Sequence, residues 1–336
     1  MTLEQFVLDR RSRCSTSTDA CSRLIGDLSV AAKIVARTFR RAGVPDERRK
    51  RGTESDGDGD RETWDAVARR EFVRCLRKGG TCGLIGTEKE GEPVWVDGTS
   101  SNRESYVVFL SPLDASSNID VAAPAGTMFS VYALPETWEP ENGLDEVLLT
   151  GCKQAAAGYV VYGPSTVFVF TSGDGVNGFT LAPSIGEFVL SHPDLRIPEL
   201  RTKPTTNGDE FSDLALGLSR GMYWLNETNA DAGLRMQSAG VGSFVSTVHR
   251  ILLRGGVGGF ASTPGSSEGS VRLLCAANPM AFVLEQAGGR ATDGERRILD
   301  IEPAGLHQQT ALILGSPSGV RAVEALVEGK GDEQIR

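Results

Sequence analysis

The sequence predicts an α/β protein, a layered sandwich of sheets and helices divided between two lobes. Three observations carry this expectation. The chain has 336 residues, 40% of them hydrophobic and 24% charged, which is enough to bury a full core. Short runs rich in β-branched and aromatic residues are interleaved with stretches of helical period, the pattern of layered α/β folds. Between Ile197 and Asp213 the segment "IPELRTKPTTNGDEFSD" is polar, contains two prolines and has no period. It reads as a link, so the lobes are placed at 1–198 and 199–336.

Taken in order, Leu24, Leu28, Ala31, Val35 and Phe39 recur at helical spacing behind Ser and Thr caps and predict a long amphipathic helix within Ser17–Val44. The basic cluster Arg48–Arg51 then meets the acidic "ESDGDGD", a stretch without period that reads as a solvated loop. "DRETWDAVARREFVRCLRKGG" predicts a second helix ending at Gly79. Strands follow over "CGLIG", "VWV", "YVVFL", "TMFSVYAL", "AAGYVVYG", "TVFVFT" and "EFVLSH". The second lobe offers a strand over "LALGLS", helices over "SFVSTVHRILLRGG" and "NPMAFVLEQAGG", a strand over "ALILG" and a closing helix from Gly319. "GDGVNG" has the letters of a dinucleotide fingerprint, but "FTLA", a strand, follows where that fingerprint needs a helix. It is expected to be a hairpin turn.

Composition excludes several function classes. A formal net charge of -9 argues against nucleic acid as the main partner, since phosphate backbones call for a basic face. No apolar run has the length of a membrane span, and the first residues lack the apolar core of a secretory signal. The six cysteines form no CxxC pair and there are three histidines, which argues against a zinc site. Free thiols are the expected state, with Cys14 and Cys21 as a redox pair the alternative.

The chemistry concentrates in "SPLDASSNID", which follows the apolar run "YVVFL". A strand ending in Asp114, with Ser116, Ser117 and Asn118 in the next turn, offers a carboxylate for a hard cation and amides and hydroxyls for a phosphate. By spacing alone the same residues suit a capped turn.

The flanking segments decide between them. From "TLEQFV" through "SPLDASSNID" and "GTMFSVY" to "VGSFVSTVHRIL", "NPMAFVLEQAGG" and "LHQQTALILGS", nearly the whole chain resembles class I fructose-1,6-bisphosphatase. "AGYVVYGPSTVFVFT" and "GEFVLSHPDLRIP" are similar to the second, non-redox-regulated plastid form of plants and algae. The resemblance implies a five-layer α/β/α/β/α sandwich of the fructose-1,6-bisphosphatase and inositol monophosphatase type. It also implies a homo-tetramer, or a hetero-oligomer within a larger assembly, in the plastid stroma with the cytoplasm as the alternative.

Residue by residue, the resemblance implies a depleted site. The family motif reads DPLDGSSNID, and its two aspartates bind Mg²⁺ with help from the leucine carbonyl. Here Asp114 and Leu113 match, but the first aspartate position holds Ser111. The adjacent glutamates of the family's SEED segment fall on Thr87 and Glu88, and the glutamate before its NPMA falls on Ala276. In the sugar-phosphate pocket, lysine and tyrosine positions fall on Ser270 and Phe260, an arginine–tyrosine pair on Ala239 and Gly240, and an asparagine and tyrosine on Ser219 and Met222. Arg272 is retained, and Asp65 matches the aspartate that positions the attacking water. In the turn where some members bind AMP, Asp19 and Ala20 stand for a glycine and a glutamate, and before Tyr106 Ser105 stands for a lysine.

Mg²⁺ binding depends on closely placed anionic oxygens. With three of four side-chain carboxylates replaced, the sequence leads to the expectation of a catalytically degenerate structural or regulatory subunit that holds no metal tightly. The alternative is a working Mg²⁺-dependent sugar-bisphosphate phosphatase in which Asp58, Asp60 or Glu90 supplies substitute ligands.

Overall fold

The computed structural model describes residues 1–11, 19–42, 44, 63–88, 93–96, 105–135, 138, 144, 146–199, 242–260 and 269–327, with 136, 137, 139–143 and 145 among those left out. The strands predicted over "YVVFL" and its neighbours assemble one eight-stranded sheet, β1 (Cys82–Thr87), β2 (Val94–Trp95), β3 (Tyr106–Asp114), β4 (Ala125–Ala133), β5 (Gln154–Tyr162), β6 (Thr166–Thr171), β7 (Val176–Ala182) and β8 (Glu187–Leu195), in the order β2-β1-β3-β4-β5-β6-β7-β8. Only β1 and β3 run parallel, Thr87 pairing with Leu110, because β2 turns back antiparallel to β1 after α3 (Trp64–Gly79) and β1, and β3 then enters on the other side of β1 in its direction. Every residue of β3 before Asp114 is buried. That is why the strand reads as an unbroken apolar run rather than an alternating one: both faces of the sheet are covered.

One face is covered by α1 (Leu3–Arg11), α2 (Asp19–Phe39) and α3. The other meets α4 (Phe244–Arg254) and α5 (Asn278–Gln286), which in turn pack on a three-stranded sheet of β9 (Val257–Phe260), β13 (Leu312–Gly315) and β11 (Arg290–Thr292). A last helix, α6 (Pro317–Val327), covers the far side of that small sheet. The five predicted layers are therefore present. A two-stranded ribbon of β10 (Val271–Arg272) and β12 (Gln309–Thr310) sits beside them.

Local chemistry sets the ends that matter. Thr63 caps α3, its hydroxyl accepting from the Ala66 amide at 3.2 Å, and Gly80 closes the helix in the left-handed region at φ 69°. Ser243 caps α4 in the same manner, accepting from the Ser246 amide at 3.1 Å. "GDGVNG" is the expected hairpin, Gly173 (φ 90°) and Gly175 (φ 71°) turning β6 into β7. The strand expected over "LALGLS" and most of the proposed link after Pro198 lie outside the described residues, as do Ser219, Met222, Ala239 and Gly240. Among the described residues no helix is long and apolar enough to cross a membrane.

Candidate active site

The site forms where β1 and β3 end side by side. The β3–β4 pairing slips between Ser111 and Asp114, an irregularity that takes Pro112 and Leu113 out of the ladder and re-aims the last residues of the strand. The Thr127 hydroxyl fixes the distortion by donating to the Pro112 carbonyl at 2.7 Å. After Asp114 the chain reverses through Ala115 at φ 56° and ψ 50°, then winds into a short 3-10 turn over Ser116–Val121. Asn118 holds this turn, its side-chain amide donating to the Pro124 carbonyl at 2.7 Å. The Trp64 indole donates to Asp120 at 2.9 Å and ties the start of α3 to the same turn.

Asp114 reaches across to the middle layer. Its Oδ2 accepts from the Ser243 hydroxyl at 2.5 Å and from the Val245 amide at 3.1 Å, so the carboxylate sits on the N-terminus of α4. Burial nevertheless pushes its pKa above the ordinary value, against the lowering pull of those donors.

Glu88, the first residue past β1, is also raised by burial, and like charge from Asp114 and Asp65 adds to the shift. A hydrogen bond from Ser111 and the positive charge of Arg272 oppose it. Asp65, Glu88, Asp114 and Arg272 thus lie in one neighbourhood. Asp65 lies in the first turn of α3 and is only 9% exposed. Arg272 lies on β10 and also donates to the His307 carbonyl.

The remaining positions are placed as follows. Thr87 and Ser111 are buried inside the sheet. Ala276 is buried in a π-type turn over Leu273–Ala277 that leads into α5, and the neighbouring Cys275 feels the charge of Glu88. Phe260 packs edge-on against Phe244, the residue after Ser243, with ring centroids 4.6 Å apart. Ser270 is exposed, as is Ser117, while Ser116 is half-buried. Asp58, Asp60 and Glu90 lie outside the described residues.

Sequence reasoning missed Ser243 altogether. Its signal was the serine opening "SFVSTVHRILL", a cap position, but nothing in the sequence says which distant acid the cap faces. It also treated Ser111 only as a replaced ligand. In the fold Ser111 is the donor that restrains Glu88.

Family models for the N-terminal and C-terminal domains of fructose-1-6-bisphosphatase match residues 1–193 and 222–328. Two proteins of Salinibacter ruber named as class 1 fructose-1,6-bisphosphatases are 48% and 46% identical over 100% and 99% of this chain, covering 94% and 93% of their own lengths. The solved structure of Leishmania major fructose-1,6-bisphosphatase in holo form superposes with a TM-score of 0.77 at 30% identity, over 98% of this chain and 99% of that one. The two Salinibacter proteins carry a likeness to class 1 proteins of bacteria, and none of these relatives points specifically to a plastid form.

They also overturn the expectation of an inactive subunit, because full-length identity of 48% to a protein of that name, together with the shared fold, argues for retained catalytic capability. The physical error lay in counting only protein carboxylates. Mg²⁺ usually keeps several waters and is held by one or two carboxylates together with the phosphate oxygens of the substrate.

Proposed function

This chain belongs to the class 1 fructose-1,6-bisphosphatase family, and from that premise we propose that it is a Mg²⁺-dependent phosphatase that hydrolyses a sugar bisphosphate, with fructose 1,6-bisphosphate as substrate and fructose 6-phosphate as product. The observation that carries the reading is the meeting of the Asp65, Glu88 and Asp114 charges with Arg272 at the ends of β1 and β3. Acids gathered by the fold in a buried place repel one another and lose hydration, so the arrangement favours a cation.

The donors fit a hard cation. Glu88, Asp114 and the Leu113 carbonyl offer oxygen only. Among the described residues no three Asp, Glu, His or Cys side chains form a cluster able to hold a metal. The phosphate oxygens of the substrate would complete the coordination, as they do where Mg²⁺ is held by one or two carboxylates. Bound there, Mg²⁺ would polarise the phosphoryl group and lower the pKa of water.

The chain's own residues do the rest. Arg272 and the polar groups of Ser116, Ser117 and Asn118 receive the phosphate that is removed. Asp65 orients the attacking water and accepts its proton as the water oxygen bonds to phosphorus. The ester P–O bond breaks and the sugar oxygen takes a proton from solvent, to which Asp65 returns the one it accepted, so the sugar leaves as its alcohol. Phe260 and Phe244 present an apolar wall to the sugar.

Phosphate release from fructose 1,6-bisphosphate, measured with Mg²⁺ and with Mn²⁺, tests the reading. Turnover that falls at least a hundredfold in Asp114→Asn is the expected result. A folded, unmodified protein that releases no phosphate at any concentration of either metal would overturn it.

A further inference from the structure

We propose that the face of α3 turned towards β2 is a second binding site, for a small metabolite carrying two or more phosphate groups. A groove of about 650 Å³ runs along this face, lined mainly by the apolar stems of Arg69, Arg70, Arg74, Arg77 and Lys78, with Asp65 at one end. The spacing explains how they come together: positions four and eight apart on a helix share a face. In a chain of net charge -9, five cations on one groove are out of keeping with the rest of the molecule.

The helix itself accounts for only some of them. Arg77 and Lys78 lie in the last turn of α3, where cations complement the helix dipole. Arg69 and Arg70 lie in the first half of the helix, where the dipole gives no such reason. Glu71 answers Arg70 at 3.3 Å and Arg74 at 2.7 Å. The Nε of Arg69 is buried and has no hydrogen-bond partner among the described residues. Leaving such a donor unmatched costs about 1–3 kcal/mol, which a turn of the side chain towards an anionic oxygen in the groove would remove.

The charged ends of these side chains name the ligand class. Guanidinium groups bind phosphate with two parallel hydrogen bonds. From Arg69 to Lys78 the helix rises roughly 14 Å, so a single phosphate cannot engage both ends. Val73 and Val94 supply apolar floor for a non-ionic body between the phosphates. The volume lies within the roughly 300–1,000 Å³ usual for small-molecule sites. The overall negative charge disfavours a nucleic acid. Because Asp65 both ends the groove and acts on Glu88, a ligand here is placed to be felt at the carboxylate site.

The test titrates inorganic triphosphate into the full chain in EDTA at low salt, by calorimetry, with orthophosphate as the comparison. The expected result is a Kd below about 100 μM, corresponding to roughly -5.5 kcal/mol, and at least tenfold tighter than orthophosphate. Arg69→Gln with Arg77→Gln and Lys78→Gln should weaken binding at least tenfold, whereas Asp114→Asn, outside the groove, should change it less than threefold. If the triple variant does not fold, Arg77→Gln with Lys78→Gln serves in its place, with a loss of at least threefold expected. Four results would overturn the proposal: no binding, equal binding of triphosphate and orthophosphate, binding indifferent to the α3 substitutions, or binding abolished by Asp114→Asn. Tighter binding of a poly-glutamate peptide or of RNA than of triphosphate would overturn the ligand class.

Discussion

Replacing Ser111 with alanine isolates what the fold asks of this position. Ser111 is fully buried, and its hydroxyl donates to a Glu88 carboxylate that burial already disfavours as an anion. Removing the donor leaves a buried charged oxygen short of a partner, which costs about 1.5–3 kcal/mol while Glu88 is ionised. The cavity contribution is small, since only one oxygen is deleted. The pH dependence follows from the direction of the Glu88 shift. A carboxyl raised in the folded state binds more protons there than when unfolded, so stability falls as pH rises from the ordinary glutamate value to the folded one, and the penalty is complete above it. Because the Ser111 bond pulls the folded pKa down, Ser111→Ala raises it further and widens that window upward. Urea unfolding in EDTA, with wild type and variant compared at pH 5 and pH 8, should therefore show the larger loss of stability at pH 8. Equal losses at both values, or a loss below about 0.5 kcal/mol at pH 8, would show that the contact does not bear on Glu88 ionisation.

Three further outcomes are expected. Ala115 occupies the left-handed region at φ 56°, where an L side chain costs about 1–2 kcal/mol, so Ala115→Gly should stabilise the protein by about 0.5–1 kcal/mol after the added freedom of the unfolded chain; a lowered urea midpoint would contradict this. His249 is pushed down to about 4 by burial, with His192 adding to the shift, so it stays neutral in the fold and stability should fall as pH drops from about 6.5 towards 4, by on the order of 3 kcal/mol. In His249→Gln that slope should flatten, because the group that gains a proton on unfolding is gone; an unchanged slope would assign the acid sensitivity elsewhere. The family resemblance implies that Asp19 and Ala20 replace a glycine and a glutamate of an AMP-binding turn, and that Ser105, before Tyr106, replaces a lysine, so calorimetry should detect no micromolar AMP binding.

What could be read from the sequence depended on whether the causes were local. β3 and β5 were legible because strands covered on both faces are unbroken apolar runs. α3 was legible because Thr63 and Gly80 bracket its periodic stretch. By contrast, β9 ("VGGF") carries two glycines and β11 ("RAT") has three residues. Neither has strand propensity of its own, and both exist because β13 lies between them and pairs with each. α1 was passed over because "LEQFVLDRR" spreads its apolar residues too evenly to show a face. At the site, Asp65, Glu88, Asp114 and Arg272 were found by matching motifs one at a time. The interaction of Asp114 with Ser243, 129 residues away in the chain, was not.

That one contact also changes how the replaced ligands weigh. A carboxylate standing alone at the end of a strand would ionise freely and remain mobile. Asp114 is instead held by the Ser243 hydroxyl and the Val245 amide, and Gly126 lets β4 approach this end of α4: a Cβ there would lie 2.5 Å from Val245. The helix N-terminus favours the anionic form, while burial opposes it. The carboxylate is thus fixed in place by the middle layer of the sandwich before any ligand arrives, which lowers the ordering cost of binding a cation and a phosphate beside it. Ser111 does the same for Glu88 from within the sheet. With two acids positioned in advance by hydroxyl donors, the substrate has fewer groups left to order, and sparse protein ligation becomes compatible with phosphatase chemistry.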